Sequence, residues 1–366
     1  MGFKEKIKIF WPAVLVLLVV IGYVLYRLSI KGWHPVELAE IGTRYRDGEI
    51  NGSEGYDGQF AYYIAIHPKP DEVSSQLDVP AYRYQRILYP LFARTISFGQ
   101  VDWIPWSLIF INILSQVGGT ALLCKLLTSM QIPVRYSLIY GLWAGLIVSV
   151  GTDLYEPLAY GLVVAAMVAR SREKDWISSI FLACSLLTKE TVLPFWLALV
   201  LADLFQQKGL KEILITLLPG ILYGFWQGWL YLQFGAFGLG SGGAMATPFE
   251  WIPYGGFFRI GSAGIEVLVL FILIFGPTIL LPNFWGTITS LRMLLRGFRD
   301  FETWSLLLNT LFITFLPFST FREPLGLVRV STGMVLMQLV FAAKQDLRRP
   351  LNLAMFWIAL LVLVIS

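Results

Sequence analysis

The first 28 residues, MGFKEKIKIFWPAVLVLLVVIGYVLYRL (residues 1–28), place three lysines ahead of an apolar run that extends from residue 9 to residue 28. A helix needs roughly 20 apolar residues to cross the hydrocarbon core of a bilayer, and this run reaches that length. A signal peptide would have a shorter apolar core and a small-residue cleavage site, and neither occurs here. The stretch therefore predicts an uncleaved first transmembrane helix.

Similar apolar runs recur along the whole chain, which is 56% hydrophobic and only 14% charged. In a soluble domain, about one half of the residues are apolar and about one quarter are charged. We therefore predict an all-α polytopic membrane protein, a single transmembrane domain over 1–366 with about eleven transmembrane helices. The runs 176–188 and 191–205 are predicted to form either two helices or one bent element. The eleven runs cover 9–28, 104–124, 136–150, 157–170, 176–188, 191–205, 212–234, 263–282, 304–318, 325–343 and 351–366.

Lysine and arginine predict the orientation, because cytoplasmic loops carry an excess of both. With the N-terminus in the cytoplasm, 16 of the 28 Lys and Arg residues lie in the inner segments and 4 in the short outer segments. The C-terminus is then outside, and the expected location is the plasma membrane. The inner segments are 1–8, 125–135, 170–175, 206–211, 283–303 and 344–349.

Two longer loops fall on the predicted non-cytoplasmic side. The first, 29–103, contains two stretches that we interpret as helices lying at the membrane interface, HPVELAEIGTRYRDG (34–48) and RILYPLFARTISF (86–98). The second, 235–262, is rich in Gly, Pro and aromatic residues. Membrane lipids are therefore expected partners of the protein.

The first loop also contains GYDGQFAYYIAIHP (55–68), in which Asp57 stands between glycines and ahead of several aromatic residues. A carboxylate held at the membrane surface is suited to act as a general base toward a hydroxyl group. The alternative is a simple turn in which Asp57 bonds its own backbone. Tyr56 and Gln59 flank Asp57 and are candidate substrate-binding residues.

Four further stretches carry charges on the same predicted side. Arg83 and Arg86 are three residues apart, so on a helix they would share a face suited to a phosphate, or would simply reach lipid headgroups. Lys189 and Glu190 interrupt two apolar runs, where a charge is costly unless it is paired or wet. The alternative there is an ordinary short loop.

The remaining two stretches are STFREPLGLVRV (319–330) and GTDLYEPLAYG (151–161). Arg322 is a candidate phosphate-binding residue, and Arg329 lies one or two turns into the next apolar run. A local pair between Arg322 and Glu323, worth little when exposed, is the alternative. Asp153 and Glu156 are candidate substrate-binding acids, for which a solvated loop is the simpler interpretation.

Acids and bases gathered at one membrane face favour a reaction between an anionic lipid-linked substrate and a polar acceptor. The middles of the apolar runs are nearly free of charge, which weakens the interpretation as an ion pathway. The sequence has no P-loop, no H-E-x-x-H, no G-x-S-x-G and no His/Cys metal spacing. No basic stripe with interleaved aromatics occurs, so nucleic acid is not an expected partner.

The order of these parts resembles the GT-C membrane glycosyltransferases, in particular bacterial mannosyltransferase-like members akin to the mannosyltransferases of glycolipid-anchor assembly. The segments GYDGQFAYYIA, YRYQRILYPLFAR and LLTKET carry the likeness, over about residues 55–95 and 186–191. The resemblance implies an inverting glycosyltransferase with a GT-C-like fold. It implies a polyprenyl-phosphate-linked sugar donor, with mannose favoured, and a glycan, lipid or protein acceptor at the non-cytoplasmic face.

By the logic of that family, Asp57 is the catalytic base, and Arg83, Arg86, Lys189 and Arg322 are candidates to neutralise the departing lipid phosphate. Many members have two adjacent acids in this motif, whereas Gly58 follows Asp57 here. We therefore predict no metal and no other cofactor. Two alternatives stay open: a transporter or flippase of lipid-linked oligosaccharides, and a ligase or polymerase of surface polysaccharide.

Overall fold

The computed structural model describes residues 3–365, and all of its regular elements are helical, with no strand in that range. Every one of the eleven apolar runs lies mainly in helix, apart from Ser366, which is outside the described residues. The α-helices are α1 (Phe3–Ile30), α2 (Thr43–Asp47), α3 (Gly58–Ile66), α4 (Pro70–Val73), α5 (Pro80–Tyr84), α6 (Leu88–Ile96), α7 (Ile104–Ser129), α8 (Leu138–Gly141), α9 (Ala144–Gly151), α10 (Glu156–Arg170), α11 (Asp175–Thr188), α12 (Leu193–Phe205), α13 (Leu210–Phe234), α14 (Gly255–Phe258), α15 (Ile265–Phe275), α16 (Leu281–Leu295), α17 (Phe301–Thr314), α18 (Phe318–Arg322), α19 (Pro324–Val330), α20 (Thr332–Lys344), α21 (Arg348–Ala354) and α22 (Val362–Ile365).

Shorter 3₁₀ segments and one π-helical turn connect several of these helices. The π-helical turn, Gly276–Leu280, joins α15 to α16, so that the two run as one apolar helix. The 3₁₀ segments are Pro35–Ala39, Ser74–Gln76, Val101–Trp103, Val134–Ser137, Glu190–Val192, Arg259–Ala263 and Met355–Leu361.

Within residues 3–365, four helices are long and apolar enough to cross a membrane, or six if two bent pairs each count as one span. The four are Lys8–Ile30, Val101–Ser129, Leu210–Phe234 and Ile265–Leu295. The all-helical part of the prediction is therefore confirmed for these residues, and the four to six apolar helices are compatible with a helical membrane protein, whereas eleven spans stay a prediction. Several of the apolar runs form helices of only 13 to 15 residues, shorter than the roughly 20 that a bilayer needs.

The runs 176–188 and 191–205 form two separate helices, not one bent element. Arg170, at the end of α10, contacts Asp175 at the start of α11, with Nη1–Oδ1 at 2.8 Å, and Asp203 near the end of α12. The far end of α12 has therefore returned to the level at which α11 begins, so the chain reverses direction at residues 189–192.

Five of the predicted inner segments meet at this end of the molecule, which we call the Arg170 pole. Met130, Arg170, Lys208, Asp300 and Lys344, one from each segment, line a common cavity of about 220 Å³ there. Their placement on one side is thus confirmed for the described residues, while the side of the membrane stays a prediction. One boundary was wrong: residues 283–303 were expected to be a loop, but α16 continues to Leu295.

The first loop differs in part from its predicted form. The expected helix over 34–48 is broken into Pro35–Ala39 and α2, because the backbone turns at Glu40, whose φ is 51°. The second expected helix is present as α6, but it is not simply laid on a surface. Tyr89 is fully buried, and its hydroxyl donates to the carbonyl of Leu108 in α7 at 3.1 Å. The loop is therefore packed onto the helices.

α7 carries a polar stripe that its apolar composition conceals. Asn112, Gln116, Thr120 and Cys124 are four residues apart, so they share one face, and all four are fully buried. The amide nitrogen of Gln116 donates to the carbonyl of Gly141 at 2.8 Å, at the break between α8 and α9. A bond of this kind satisfies a carbonyl that a broken helix leaves free, which is necessary in an apolar environment.

A second buried contact fixes α19, the helix that contains Arg329. The indole nitrogen of Trp143 donates to the carbonyl of Val328 at 2.9 Å. A Cβ at Gly145 would lie only 2.5 Å from the same carbonyl oxygen, so the absence of a side chain permits this close approach. The start of α9 thereby holds α19 in a fixed position next to Arg329.

Candidate functional site

Asp57 immediately precedes α3 and presents its carboxylate to a cavity. Its backbone is right-handed helical, and its side chain makes no capping bond to the helix that follows. The expected alternative, a turn in which the carboxylate bonds its own backbone, is therefore wrong. The side chain is 29% exposed, so one part of the carboxylate faces open space.

The glycines around Asp57 are needed for close packing. A Cβ at Gly58 would lie 2.2 Å from the carbonyl oxygen of Thr152, and one at Gly55, where φ is +67°, would lie 2.4 Å from the nitrogen of Gly42. Real Cβ atoms do not approach backbone so closely, so position 58 excludes any side chain in this fold. A second acid directly after Asp57 is therefore excluded, because the backbone of residue 152 occupies the place of its side chain.

Two arginines from distant parts of the chain bind the Asp57 carboxylate. Arg83 Nη1 donates to Oδ1 at 2.8 Å, and Arg329 Nη2 donates to Oδ2 at 3.4 Å. Burial raises the pKa of Asp57, but the two guanidiniums outweigh it and hold the pKa well below its usual range. The carboxylate is therefore ionised at neutral pH.

Arg83 is committed to carboxylates on the protein. Its Nε and Nη2 donate to the two oxygens of Asp78, at 2.6 and 2.8 Å, and its guanidinium lies 4.1 Å from the ring centre of Phe60. Only 6% of the side chain is exposed. Arg83 therefore orients Asp57, and all three of its nitrogens already donate to carboxylates of the protein, which leaves it poorly placed to bind a phosphate.

Arg86 is likewise paired, and with a different partner. It binds Glu190 through two nitrogens, with Nε–Oε2 at 2.8 Å, and its guanidinium lies over the ring of Tyr82 at 4.4 Å. Arg86 and Arg83 therefore do not form one shared phosphate site, as their spacing had suggested. The Arg86–Glu190 pair instead ties the first loop to the connection between α11 and α12.

Lys189 and Glu156 form a second buried pair, with Nζ–Oε1 at 2.6 Å and side-chain exposures of 5% and 0%. The expectation that Glu156 lies in a solvated loop was wrong, because it opens α10 deep in the molecule. Arg329 Nε lies 3.8 Å from the same Glu156 oxygen. Lys189 lines the cavity around Asp57, whereas Glu156 stands behind it, next to Arg329.

Asp153 does not belong to the site. It is fully buried, neither carboxylate oxygen has a hydrogen-bond partner, and it does not line the cavity around Asp57. The solvated loop expected for Asp153 is therefore wrong, and its buried carboxylate is not in place to bind a substrate in this cavity. Burial raises the pKa of Asp153 well above its usual value, which favours the neutral acid.

Arg322 and Arg329 are the arginines of this site that are least committed to carboxylates of the protein. Arg322 is exposed, lines the cavity and contacts the ring of Phe318 at 5.9 Å, and it has no ion pair within residues 3–365. Arg329 is buried, and its Nε and Nη1 have no hydrogen-bond partner in the described chain. From the sequence, Arg329 was predicted only to be a charged residue on the outer side. Its position inside an apolar run could have identified it as a functional candidate, because a charge is costly there.

Tyr56 and Gln59 have different roles. The Tyr56 hydroxyl donates to Glu323 Oε1 at 2.6 Å, which links the first loop to the start of α19. Gln59 is buried, and its amide accepts from Gly42 N at 3.1 Å and donates to the carbonyl of Glu54 at 2.7 Å. Gln59 therefore holds the loop in shape.

The cavity that these residues enclose has a volume of about 530 Å³. None of its lining residues comes from the predicted inner segments, so we call this end of the molecule the Asp57 pole. Its charged lining is balanced, with five acids and five bases, so it is not a simple anion trap. These are Glu54, Asp57, Asp78, Glu190 and Glu323, and Arg83, Arg86, Lys189, Arg322 and Arg329.

An apolar groove of about 940 Å³ adjoins this cavity and shares Tyr82, Thr191 and Ser319 with it. Trp196, Leu197, Phe312, Phe315 and Leu316 are among the apolar residues that line the groove. A polar cavity that continues into an apolar groove fits an amphiphilic molecule better than a free ion or a soluble sugar.

The segment 243–247 lies between the cavity and the groove. Ala244 N donates to Asp78 Oδ2 at 3.1 Å. Thr247 and Ser319 exchange two bonds, each from a backbone nitrogen to a hydroxyl at 3.0 Å. Asp78 thus joins this segment to Arg83 and, through Arg83, to Asp57.

Among residues 3–365, no three Asp, Glu, His or Cys side chains are grouped as ligands for a metal ion. The two oxygens of Asp57 are instead bonded to guanidiniums. The absence of a metal requirement stays a prediction.

Comparisons with protein-family models, with curated proteins and with solved structures found no match. The class defined here is therefore an all-helical protein with four to six candidate membrane spans and a buried charge network at one pole. The likeness to GT-C enzymes depends on the sequence motifs alone.

Proposed function

We propose that this protein is an inverting membrane glycosyltransferase of GT-C type. It moves a hexose, with mannose favoured, from a polyprenyl-phosphate donor to a hydroxyl acceptor at the non-cytoplasmic face. The finer architecture, a GT-C-like fold with about eleven spans, is part of the same proposal. One observation carries it: a partly exposed carboxylate stands in a charged cavity that continues into an apolar groove.

In the proposed reaction, Asp57 accepts the proton of the acceptor hydroxyl as that oxygen attacks the anomeric carbon of the donor sugar. A new glycosidic C–O bond forms, and the C–O bond to the lipid phosphate breaks. The bonding electron pair leaves with the phosphate. Attack from the side opposite the leaving group inverts the anomeric configuration.

The departing phosphate gains negative charge, which fixed cations stabilise. Arg322 and Arg329 fill this role in the proposal, because their donors are not fully used by the protein. Arg83 and Arg86 are paired through two nitrogens each, so they shape the site instead. The lipid chain then lies in the adjoining apolar groove.

The test is transfer of labelled mannose from a polyprenyl-phosphate donor by the purified full-length protein. Asp57→Asn is expected to lower kcat by about 10²- to 10⁴-fold, the usual contribution of a general base. Arg322→Gln is expected to raise the KM for the donor. Asp71→Asn, an exposed acid in the same loop, serves as the matched control and should transfer normally.

Undiminished transfer by Asp57→Asn would remove Asp57 as the base, and absence of transfer by the wild type with any lipid-linked hexose would remove the proposal. A lipid-linked-oligosaccharide transporter would need a polar path to the opposite pole. The lining of the Asp57 cavity comes from one pole only, which supports the transferase over the transporter.

A further inference from the structure

A separate groove of about 770 Å³ shares no lining residue with the cavity around Asp57, and two of its lining residues, Trp285 and Arg349, belong to predicted inner segments. Its walls are the π-helical turn with the start of α16, the middle of α20, and α21 with the 3₁₀ segment after it. Its volume is in the range of small-molecule sites. The apolar lining includes Pro277, Leu281, Trp285, Leu353 and Phe356.

Two prolines explain why the wall is irregular here. Pro277 and Pro282 have no N–H group, so the regular bonding of the helix is interrupted, and Leu281 N reaches back five residues to the carbonyl of Gly276. The buried amide of Gln338 donates to the carbonyl of Pro282 at 2.5 Å and satisfies it from the neighbouring helix. The groove is therefore a fixed feature of the packed helices.

The lining contains a single charged side chain, Arg349. It is exposed and forms no ion pair within residues 3–365, whereas the adjacent Arg348 pairs with Asp346 at 2.6 Å. An unpaired guanidinium beside an apolar concave surface complements a molecule with an anionic head and an apolar tail. Phosphate is the anion that guanidinium binds with good geometry.

The surface around the groove is suited to lipid. The helix Ile265–Leu295 has only 22% of its most apolar window buried, although its mean hydropathy in that window is 2.4. Leu281, Leu353 and Phe356 stay more than half exposed within the protein itself. These side chains need an apolar partner, and the acyl chains of the bilayer supply one.

We propose that this groove binds one anionic phospholipid, with its phosphate on Arg349 and an acyl chain along Trp285, Leu353 and Phe356. The site is independent of the proposed glycosyl transfer. The positive charge selects for an anionic headgroup, while the apolar walls select for a bilayer lipid over a soluble phosphate.

Native mass spectrometry of the full-length protein, released from bilayers with equal amounts of phosphatidylglycerol and phosphatidylcholine, tests the site. The wild type is expected to retain one phosphatidylglycerol in preference to phosphatidylcholine. Arg349→Gln should lower that preference by about tenfold, as loss of one charge-assisted bond implies. Leu353→Glu, which places an anion in the groove with Arg349 intact, should also lower it.

Arg296→Gln is the matched control, because Arg296 is exposed, lies in the predicted inner segment 283–303 and has no ion pair in the described part of the chain, but does not line the groove. It should retain phosphatidylglycerol as the wild type does. Equal retention of both lipids by the wild type would overturn the proposal. An equal loss with Arg296→Gln and Arg349→Gln would also overturn it, because diffuse attraction by a basic surface would then explain the binding.

Discussion

Replacing Glu190 by Gln is expected to destabilise the protein, because it removes the counter-charge of Arg86 without changing the shape of the side chain. The Arg86 side chain is 3% exposed, and that of Glu190 is 15% exposed. Removing one member of a buried ion pair leaves the other charge buried and uncompensated, at a cost of about 3–5 kcal/mol.

The structure places the expected cost near the lower end of that range. Arg86 keeps the ring of Tyr82 at 4.4 Å and that of Tyr155 at 5.5 Å after the change. A cation facing an aromatic ring retains about 0.5–2 kcal/mol of attraction. We therefore expect a loss of about 3 kcal/mol for Glu190→Gln, and a smaller loss than the sum of both single variants for Arg86→Gln with Glu190→Gln.

The assay is reversible unfolding of the purified protein in mixed micelles, followed by tryptophan fluorescence. Glu54→Gln is the matched control, because Glu54 pairs with Arg44 at the surface, where the side chains are 51% and 44% exposed. It should change the free energy of unfolding by less than about 1 kcal/mol. If Glu190→Gln unfolds like the wild type and changes only donor affinity, Arg86 is a phosphate ligand and the structural argument fails.

Two further outcomes follow from the geometry around Asp57. Gly58→Ala should lower stability by about 1–3 kcal/mol, since its Cβ would meet the carbonyl of Thr152 at 2.2 Å. Gly118→Ala in α7, with open space around its Cβ, should be neutral or gain up to about 1 kcal/mol, and similar melting temperatures for the two would contradict the packing. Arg83 and Arg329 lower the pKa of Asp57 in the fold, so its contribution is present above the unfolded value of about 4 and is lost on acidification below it. Unfolding at a series of pH values should show a steeper acid loss for the wild type than for Asp57→Asn, and parallel curves would refute this.

The helical content could be predicted because apolar runs are a local property of the sequence. Each of the eleven runs lies mainly in helix, and residues from five of the six predicted inner segments line one cavity. The bend at Glu40 could not be predicted, because it depends on a backbone bond from Tyr56 N to its carbonyl, 16 residues away. The buried polar stripe of α7 could not be recognised from hydropathy, because the apolar residues around it dominate the average.

Most of the predicted site residues lie around one cavity, but their pairing could not be predicted. Asp57, Arg83, Arg86, Lys189 and Arg322 do line one cavity. Which cations are free for a ligand depends on partners up to 272 residues apart in the chain, as between Asp57 and Arg329. No local pattern carries that information. Asp153 shows the same limit, because an acid beside a predicted helix end gives no local sign of complete burial.

Under the proposed function, the contacts of Asp57 with two arginines determine when Asp57 would act as a base. A carboxylate bound by two guanidiniums is a weak proton acceptor, because each cation stabilises the ionised form. Arg83 is held at two atoms by Asp78 and cannot leave. Arg329 is different, because its contacts to Asp57, Glu156 and Glu323 are all loose, at 3.4, 3.8 and 3.9 Å.

A donor phosphate would compete with these three carboxylates for Arg329 and draw it away from Asp57. The pKa of Asp57 would then rise, because one of its two cations has changed partner, while Arg83 keeps the carboxylate in place. Proton abstraction from the acceptor would thereby become favourable only with the donor bound. The balanced charges of the cavity support this order of events, because a site with an excess of fixed cations would hold Asp57 as a weak base even when the donor is present.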